Sequence, residues 1–167
     1  MHTLYIHGLD SSPKPAKMKA IERFSPVSGL HLNYREQKDA FRKLCQHVEE
    51  NGITHLIGSS MGGYLGFYLA HAYGLPCLLF NPALAGRSVE VPVEMNHQEV
   101  PRRLIVLGMQ DVVVDPNGTL EFFSDSPFPC KSQEIILNRE LAHQIPQDVF
   151  RKGINYFFES RQTESLA

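Results

Sequence analysis

The sequence predicts an α/β fold, a mostly parallel central sheet of about six strands with helices on both faces. Three observations carry this. Apolar runs of strand length alternate with helix-length stretches, the runs are nearly unbroken Leu, Ile and Val, and glycine and proline fall at the joints between them. Strands of that composition suit a sheet covered on both sides.

The strand-like runs are Thr3 to His7, Leu30 to Tyr34, Ile53 to Gly58, Leu75 to Phe80, Arg103 to Leu107 and Ser132 to Leu137. Helical stretches are expected over Lys14 to Phe24, Gln37 to Glu50, Met61 to Tyr73, Asn117 to Phe123 and Pro146 to Glu159. Asn51-Gly52 and Gly74 stand where helices should stop. Pro146 fits the first turn of the last helix, where its missing N–H has no partner to lose. Asn81 to Pro101 breaks the alternation: it holds Pro82, Pro92 and Pro101, and its apolar residues keep no period. It reads as a long excursion, and whether it forms a lid is open.

With 167 residues and 43% hydrophobic content, one globular domain spanning 1–167 is expected. A net charge of −2 supplies no field to draw nucleic acid or an anionic membrane, so small molecules are the expected partners. The longest apolar runs fall far short of the roughly 20 residues a membrane span needs. The first residues, Met1 to Gly8, show neither a basic leader nor a long apolar core, which makes a cytoplasmic location the expectation. Cys45, Cys77 and Cys130 lack CxxC spacing and are odd in number, which argues for free thiols rather than disulfides or zinc.

The local motif with most chemistry is "LIGSSMGGYLG", Leu56 to Gly66. It matches neither G-x-x-x-x-G-K-[ST] nor G-x-G-x-x-G, so a phosphate loop is rejected. It does contain G-x-S-x-G, Gly58-Ser59-Ser60-Met61-Gly62, between a strand and a helix pattern. In such an elbow the serine sits in a strained backbone and its flanking side chains would collide, so Gly58 and Gly62 single out Ser60 over Ser59. Alone, the motif also describes a glycine-rich turn that starts a helix.

The rest of the chain supplies the other parts in the order serine, acid, histidine. Asp111 follows the strand ending at Leu107, where it can accept a histidine Nδ1–H; Asp115, directly before Pro116, is the alternative acid or a helix cap. His143 lies after the last strand and before the last helix, placed to act as general base. His2, His31, His47, His55 and His71 read as exposed or structural rings. The oxyanion donors expected are the backbone N–H groups of Met61, at a helix start, and of Leu9, in the loop after the first strand. His7, Gly8 and His97 are candidate substrate contacts, although His7-Gly8 also reads as an ordinary strand end. Ser11 or Ser12 could cap the following helix. Lys14, Lys17 and Lys19 could attract acyl-CoA phosphates but read more simply as a solvated helix face.

Taken together, "LYIHGLDSSP", "GSSMGGYLG", "NPA" at Asn81 to Ala83, "GMQDVVVD" and the late histidine make the chain resemble the compact YqiA-like esterase family of the α/β-hydrolase superfamily. The resemblance implies a minimal α/β-hydrolase that begins at the strand carrying the His-Gly loop and has no large cap. It implies a serine esterase or thioesterase with Ser60, Asp111 and His143 as its triad, an acyl-enzyme intermediate, and no metal or organic cofactor. The family commonly has glycine before its final catalytic histidine, where this chain has Ala142. Peptidase and carbon–carbon hydrolase chemistry would use the same triad. A catalytically silent hydrolase fold serving as a ligand-binding or interaction module is the alternative from another class.

Overall fold

The structure is a computed structural model that describes residues 1–85, 91, 98–124 and 127–160. The chain order is β1 (Thr3–Ile6), α1 (Pro15–Glu22), β2 (Val27–Ser28), α2 (Ala40–Asn51), β3 (His55–Ser59), α3 (Met61–Tyr73), β4 (Cys77–Phe80), β5 (Arg103–Gly108), α4 (Pro116–Ser124), β6 (Gln133–Asn138) and α5 (Gln147–Glu159). The six strands form one sheet in the order β2-β1-β3-β4-β5-β6, and each of its pairings is parallel.

Alternation along the strands divides the core into two layers. Leu4, Ile6, Leu56, Leu79 and Ile105 face one way and pack with Leu44 and Val48 of α2 and Phe67 of α3. Tyr5, Ile57, Leu78, Phe80, Leu104 and Val106 face the other way onto Ile21 of α1 and Phe150, Ile154 and Phe157 of α5. This is why the strands read as continuous apolar runs: both faces are covered. Each fully buried Leu, Ile or Phe contributes roughly 1.5–3 kcal/mol.

Chain order reverses direction at β1 and β3. The connection after β1 leads outward to β2, whereas the one after β3 leads to β4 on the opposite side. The loops beyond the carboxyl ends of these two strands therefore part, and the crevice between them is where open α/β sheets take ligands.

Several expected boundaries move. The second strand is Val27–Ser28, in register with Thr3 and Leu4, and Leu30 to Tyr34 is not a strand. Leu32 and Tyr34 are buried, giving the alternation that mimics one, but their polar groups bond to the loop after β1 instead of a ladder. Leu32 N–H donates to His7 Nε2 at 3.0 Å, and Tyr34 O–H to the His7 carbonyl at 2.8 Å. Pro146 lies one residue earlier than expected, as the N-cap of α5. The N-cap of α1 is Lys14, without a side-chain capping bond, so neither Ser11 nor Ser12 caps that helix. Among the described residues no helix is long and apolar enough to cross a membrane.

Candidate active site

β3 ends at Ser59, and the chain turns at Ser60 with φ 54° and ψ −120° before α3 begins at Met61. A non-glycine residue at positive φ is strained and persists only where its surroundings fix it. Here Ser60 N–H donates to the Phe80 carbonyl at 2.9 Å, and the Ser60 carbonyl accepts from Tyr64 N–H at 2.9 Å and Ala83 N–H at 3.2 Å. The flanking glycines are demanded by contact. A Cβ on Gly62 would overlap the carbonyl oxygens of Ile6 and His7, and one on Gly58 would overlap the Gly62 carbonyl. The elbow is thus wedged between β1 and α3, leaving Ser60 partly exposed.

The loop after β1 comes up beside it. A Cβ on Gly8 would lie 3.3 Å from Ser60 Cβ and 3.8 Å from Ser60 Oγ, so this backbone passes directly by the hydroxyl. Leu9 lines the same cavity as Ser60. Met61 is the first residue of α3, so its N–H has no acceptor within the helix. His7 is completely buried beneath the loop and does not line the cavity. Its Nδ1–H donates to the Gly8 carbonyl at 2.8 Å while Nε2 accepts from Leu32. Burial, more than the nearby His31, holds its pKa below the ordinary histidine value. His7 is a neutral brace for the loop.

Asp111, just beyond β5, has a side chain only 1% exposed. Its Oδ1 accepts from Val113 N–H at 2.8 Å and Val114 N–H at 2.9 Å, and its Oδ2 accepts from His143 Nδ1–H at 2.8 Å. That contact sets the tautomer, leaving His143 Nε2 as an acceptor toward the cavity. Asp115 Oδ1 accepts from Asn117 N–H at the head of α4, the capping role that was its alternative. Ser60 and His143 line one cavity of about 260 Å³. Among the described residues no hydrogen bond joins Ser60 Oγ to His143; such contacts commonly close when substrate binds. His97 lies outside the described residues, as does most of the 81–101 excursion.

Asn81 received no role from the sequence, and the structure gives it one. It is 2% exposed with φ 42°, at the end of β4. Its Nδ2–H donates to the Ala142 carbonyl at 3.0 Å and the His143 carbonyl at 3.4 Å, and its Oδ1 accepts from Gly108 N–H at 2.7 Å. One side chain thereby ties the histidine loop to the end of β5. An asparagine directly before a proline at a strand end was the available signal, because asparagine tolerates this backbone region better than most residues.

Lys14 and Lys17 also line the cavity, whereas Lys19 faces a separate groove with Arg23 and Arg151, so the three do not share one solvated face. Among the described residues no group of three or more His, Cys, Asp or Glu side chains is arranged to hold a metal ion.

The fold is shared with solved hydrolases. A monoacylglycerol lipase from Paleococcus ferrophilus is 13% identical, with a TM-score of 0.75 over 95% of this chain and 94% of that one. The mouse alpha/beta hydrolase domain-containing protein 10 is 14% identical, with a TM-score of 0.70 over 99% and 90%. A lidless α/β serine hydrolase from Xanthomonas campestris is 16% identical, with a TM-score of 0.63 over 95% and 82%. Residues 2–103 match the model of the family described as "Uncharacterised protein family (UPF0227)". The chain belongs to that family, the YqiA-like family, and has the fold of the α/β-hydrolase superfamily.

Proposed function

We propose that the protein is a serine hydrolase that cleaves small carboxylic esters or thioesters through an acyl-enzyme. The observation that carries this reading is Ser60, held at positive φ over a cavity that it shares with His143, whose Nδ1 is fixed by Asp111 at 2.8 Å.

In the reaction, Ser60 Oγ attacks the carbonyl carbon while His143 Nε2 takes its proton, and Asp111 stabilises the resulting imidazolium. The carbonyl oxygen becomes an oxyanion, held by the N–H groups of Met61 and Leu9. Collapse of the tetrahedral intermediate breaks the bond to the leaving alcohol or thiol, which receives the proton from His143. Water then attacks the acyl-Ser60 ester by the same route, releasing the acid and restoring the serine.

A cavity of about 260 Å³ is small for a ligand site, which favours short acyl groups. Val113, 68% exposed, and Ile145 offer the apolar wall against which such a group would rest. A fluorophosphonate probe should label the wild type and not Ser60→Ala; equal labelling of both would remove the nucleophile. Ester turnover no faster than that of Ser60→Ala would instead favour a silent binding module.

A further inference from the structure

The cavity carries two ammonium groups that the hydrolytic steps do not use. Lys14 and Lys17 stand three positions apart at the start of α1, so both reach the same side. Lys17 does not extend into water as a lysine usually does. Its Nζ lies 4.9 Å from the ring centroid of Phe150. That ring is fully buried, stacked on Phe80 at 5.2 Å and met edge-on by Tyr5 at 5.8 Å. The ammonium therefore has an aromatic face on one side and the cavity on the other.

Among the described residues no carboxylate balances it, and Lys17 forms no ion pair. Asp10 is the acidic side chain lining the cavity, and Arg35 holds both of its oxygens, at 2.8 and 2.6 Å. The acid in the first turn of α5, Asp148, is paired with Lys152. Burial, and then the charge of Lys14, bring the Lys17 pKa down to about 8, so the group remains largely protonated at neutral pH. A half-buried cation that has no carboxylate partner among the described residues and lines a small cavity is suited to receive a negative charge.

We infer that Lys17, assisted by Lys14, binds an anionic oxygen group of the substrate, so that the favoured ester carries a carboxylate or phosphate a few bonds from the scissile carbonyl. The inference rests on the hydrolase reading for the word "ester". The short distance follows from the small cavity, which holds Ser60 and Lys17 together. A negative group at the far end of a long carrier would lie outside it.

The test compares 4-nitrophenyl hydrogen adipate with its uncharged isostere, 4-nitrophenyl 6-methylheptanoate, at pH 7. The ratio of kcat/KM, acidic over neutral ester, should exceed one in the wild type. In Lys17→Gln it should fall by about ten-fold or more, the size of a charge-assisted hydrogen bond, with most of the change in KM. Lys17→Arg should keep the ratio within about three-fold, since it keeps the charge. An unchanged ratio in Lys17→Gln overturns the inference, whatever happens to folding, because both esters report on the same folded molecules. Competition against the neutral ester by adipate or by inorganic phosphate identifies the anion; competition by neither overturns the inference. Calorimetric binding of adipate to Ser60→Ala, lost in the Ser60→Ala/Lys17→Gln double variant, would sustain the anion site even if no ester were hydrolysed. Failure of the hydrolase reading is thereby distinguishable from failure of the anion site.

Discussion

The two ends of the sheet both bury polar side chains, yet they do so in opposite ways. At the amino-terminal end, Arg103 opens β5 at 3% exposure against a fully buried His71. Its Nη1–H donates to His71 Nε2 at 2.8 Å, and His71 Nδ1–H donates to the Gln98 carbonyl at 3.0 Å. Its Nε–H donates to Gln133 Oε1 at 2.8 Å, and Nη2 reaches the same oxygen. Phe67 and Phe123 cover the guanidinium, with its carbon 5.0 and 5.1 Å from their ring centroids. This end closes on itself. At the carboxyl end the anchored groups stop one step short: Asp111 is held by three hydrogen bonds, but His143 and Ser60 line a cavity.

Backbone strain follows the same division. Among the described residues Asp10, Ser60 and Asn81 are the non-glycine residues at positive φ, and they follow β1, β3 and β4 at the carboxyl rim. Strain of this kind costs about 1–3 kcal/mol per residue and tends to gather where function needs a fixed geometry. The sealed end contributes stability, and the strained rim spends some of it.

Removing the acid at the open end should have the largest effect. Asp111→Asn keeps the acceptor for Val113 and Val114 but turns a donor toward His143, which favours the tautomer with Nε2 protonated and unable to act as base. Hydrolysis should fall by about 10³–10⁴-fold with little change in Tm, measured by initial rates and calorimetry. A loss under ten-fold would hand the orienting role to another group. At the sealed end the expectation inverts. Arg103→Met removes the N–H that buried His71 Nε2 accepts, while exposed Gln133 turns to water, costing about 1–3 kcal/mol in urea unfolding. Turnover per folded molecule should stay within about two-fold, because β5 separates this cluster from the carboxyl rim. A comparable fall in turnover would mean that the two ends are coupled.

Asn81→Ala tests the boundary between these behaviours. It leaves the buried Gly108 N–H unpaired and frees the carbonyls of Ala142 and His143. Both readouts should move: a stability loss of about 1–3 kcal/mol and a fall in kcat of about 10–100-fold as the histidine loop drifts. KM should change much less, since Asn81 does not line the cavity. A stability loss without any kcat effect would make the residue structural alone.

Local signals made much of this molecule legible, and distant pairings did not. The elbow was readable because its glycines sit two residues either side of Ser60, a spacing that steric contact with Ile6, His7 and Gly62 enforces. The contact between Asp111 and His143 was foreseeable from chain order at strand ends. The second strand was misplaced because Leu30, Leu32 and Tyr34 alternate for a different reason, packing under the loop after β1. Asn81 bonds to a residue 61 positions away, and the Arg103–His71 contact spans 32, so neither leaves a periodic trace. Lys17 looked like one of three surface lysines; the packing of α1 against α5 seats it on Phe150.

The smallest expected effect lies under the loop after β1, whose bracing depends on a proton that is absent. His7 serves as donor to Gly8 and acceptor from Leu32 only when neutral, and burial keeps its pKa below the ordinary value. A histidine with a depressed folded pKa contributes stability that is fully present above its unfolded pKa, near 6.5, and is lost as pH falls through the folded value. Protonation would turn Nε2 from acceptor to donor and set it against Leu32 N–H. His7→Gln should be less stable than wild type at pH 7.5, and that gap should narrow toward pH 5, by at most about 1.4 kcal/mol per pH unit. Urea unfolding across that range checks it. Parallel curves for the two proteins would mean that His7 does not titrate differently on folding, and that the loop is braced by Tyr34 alone.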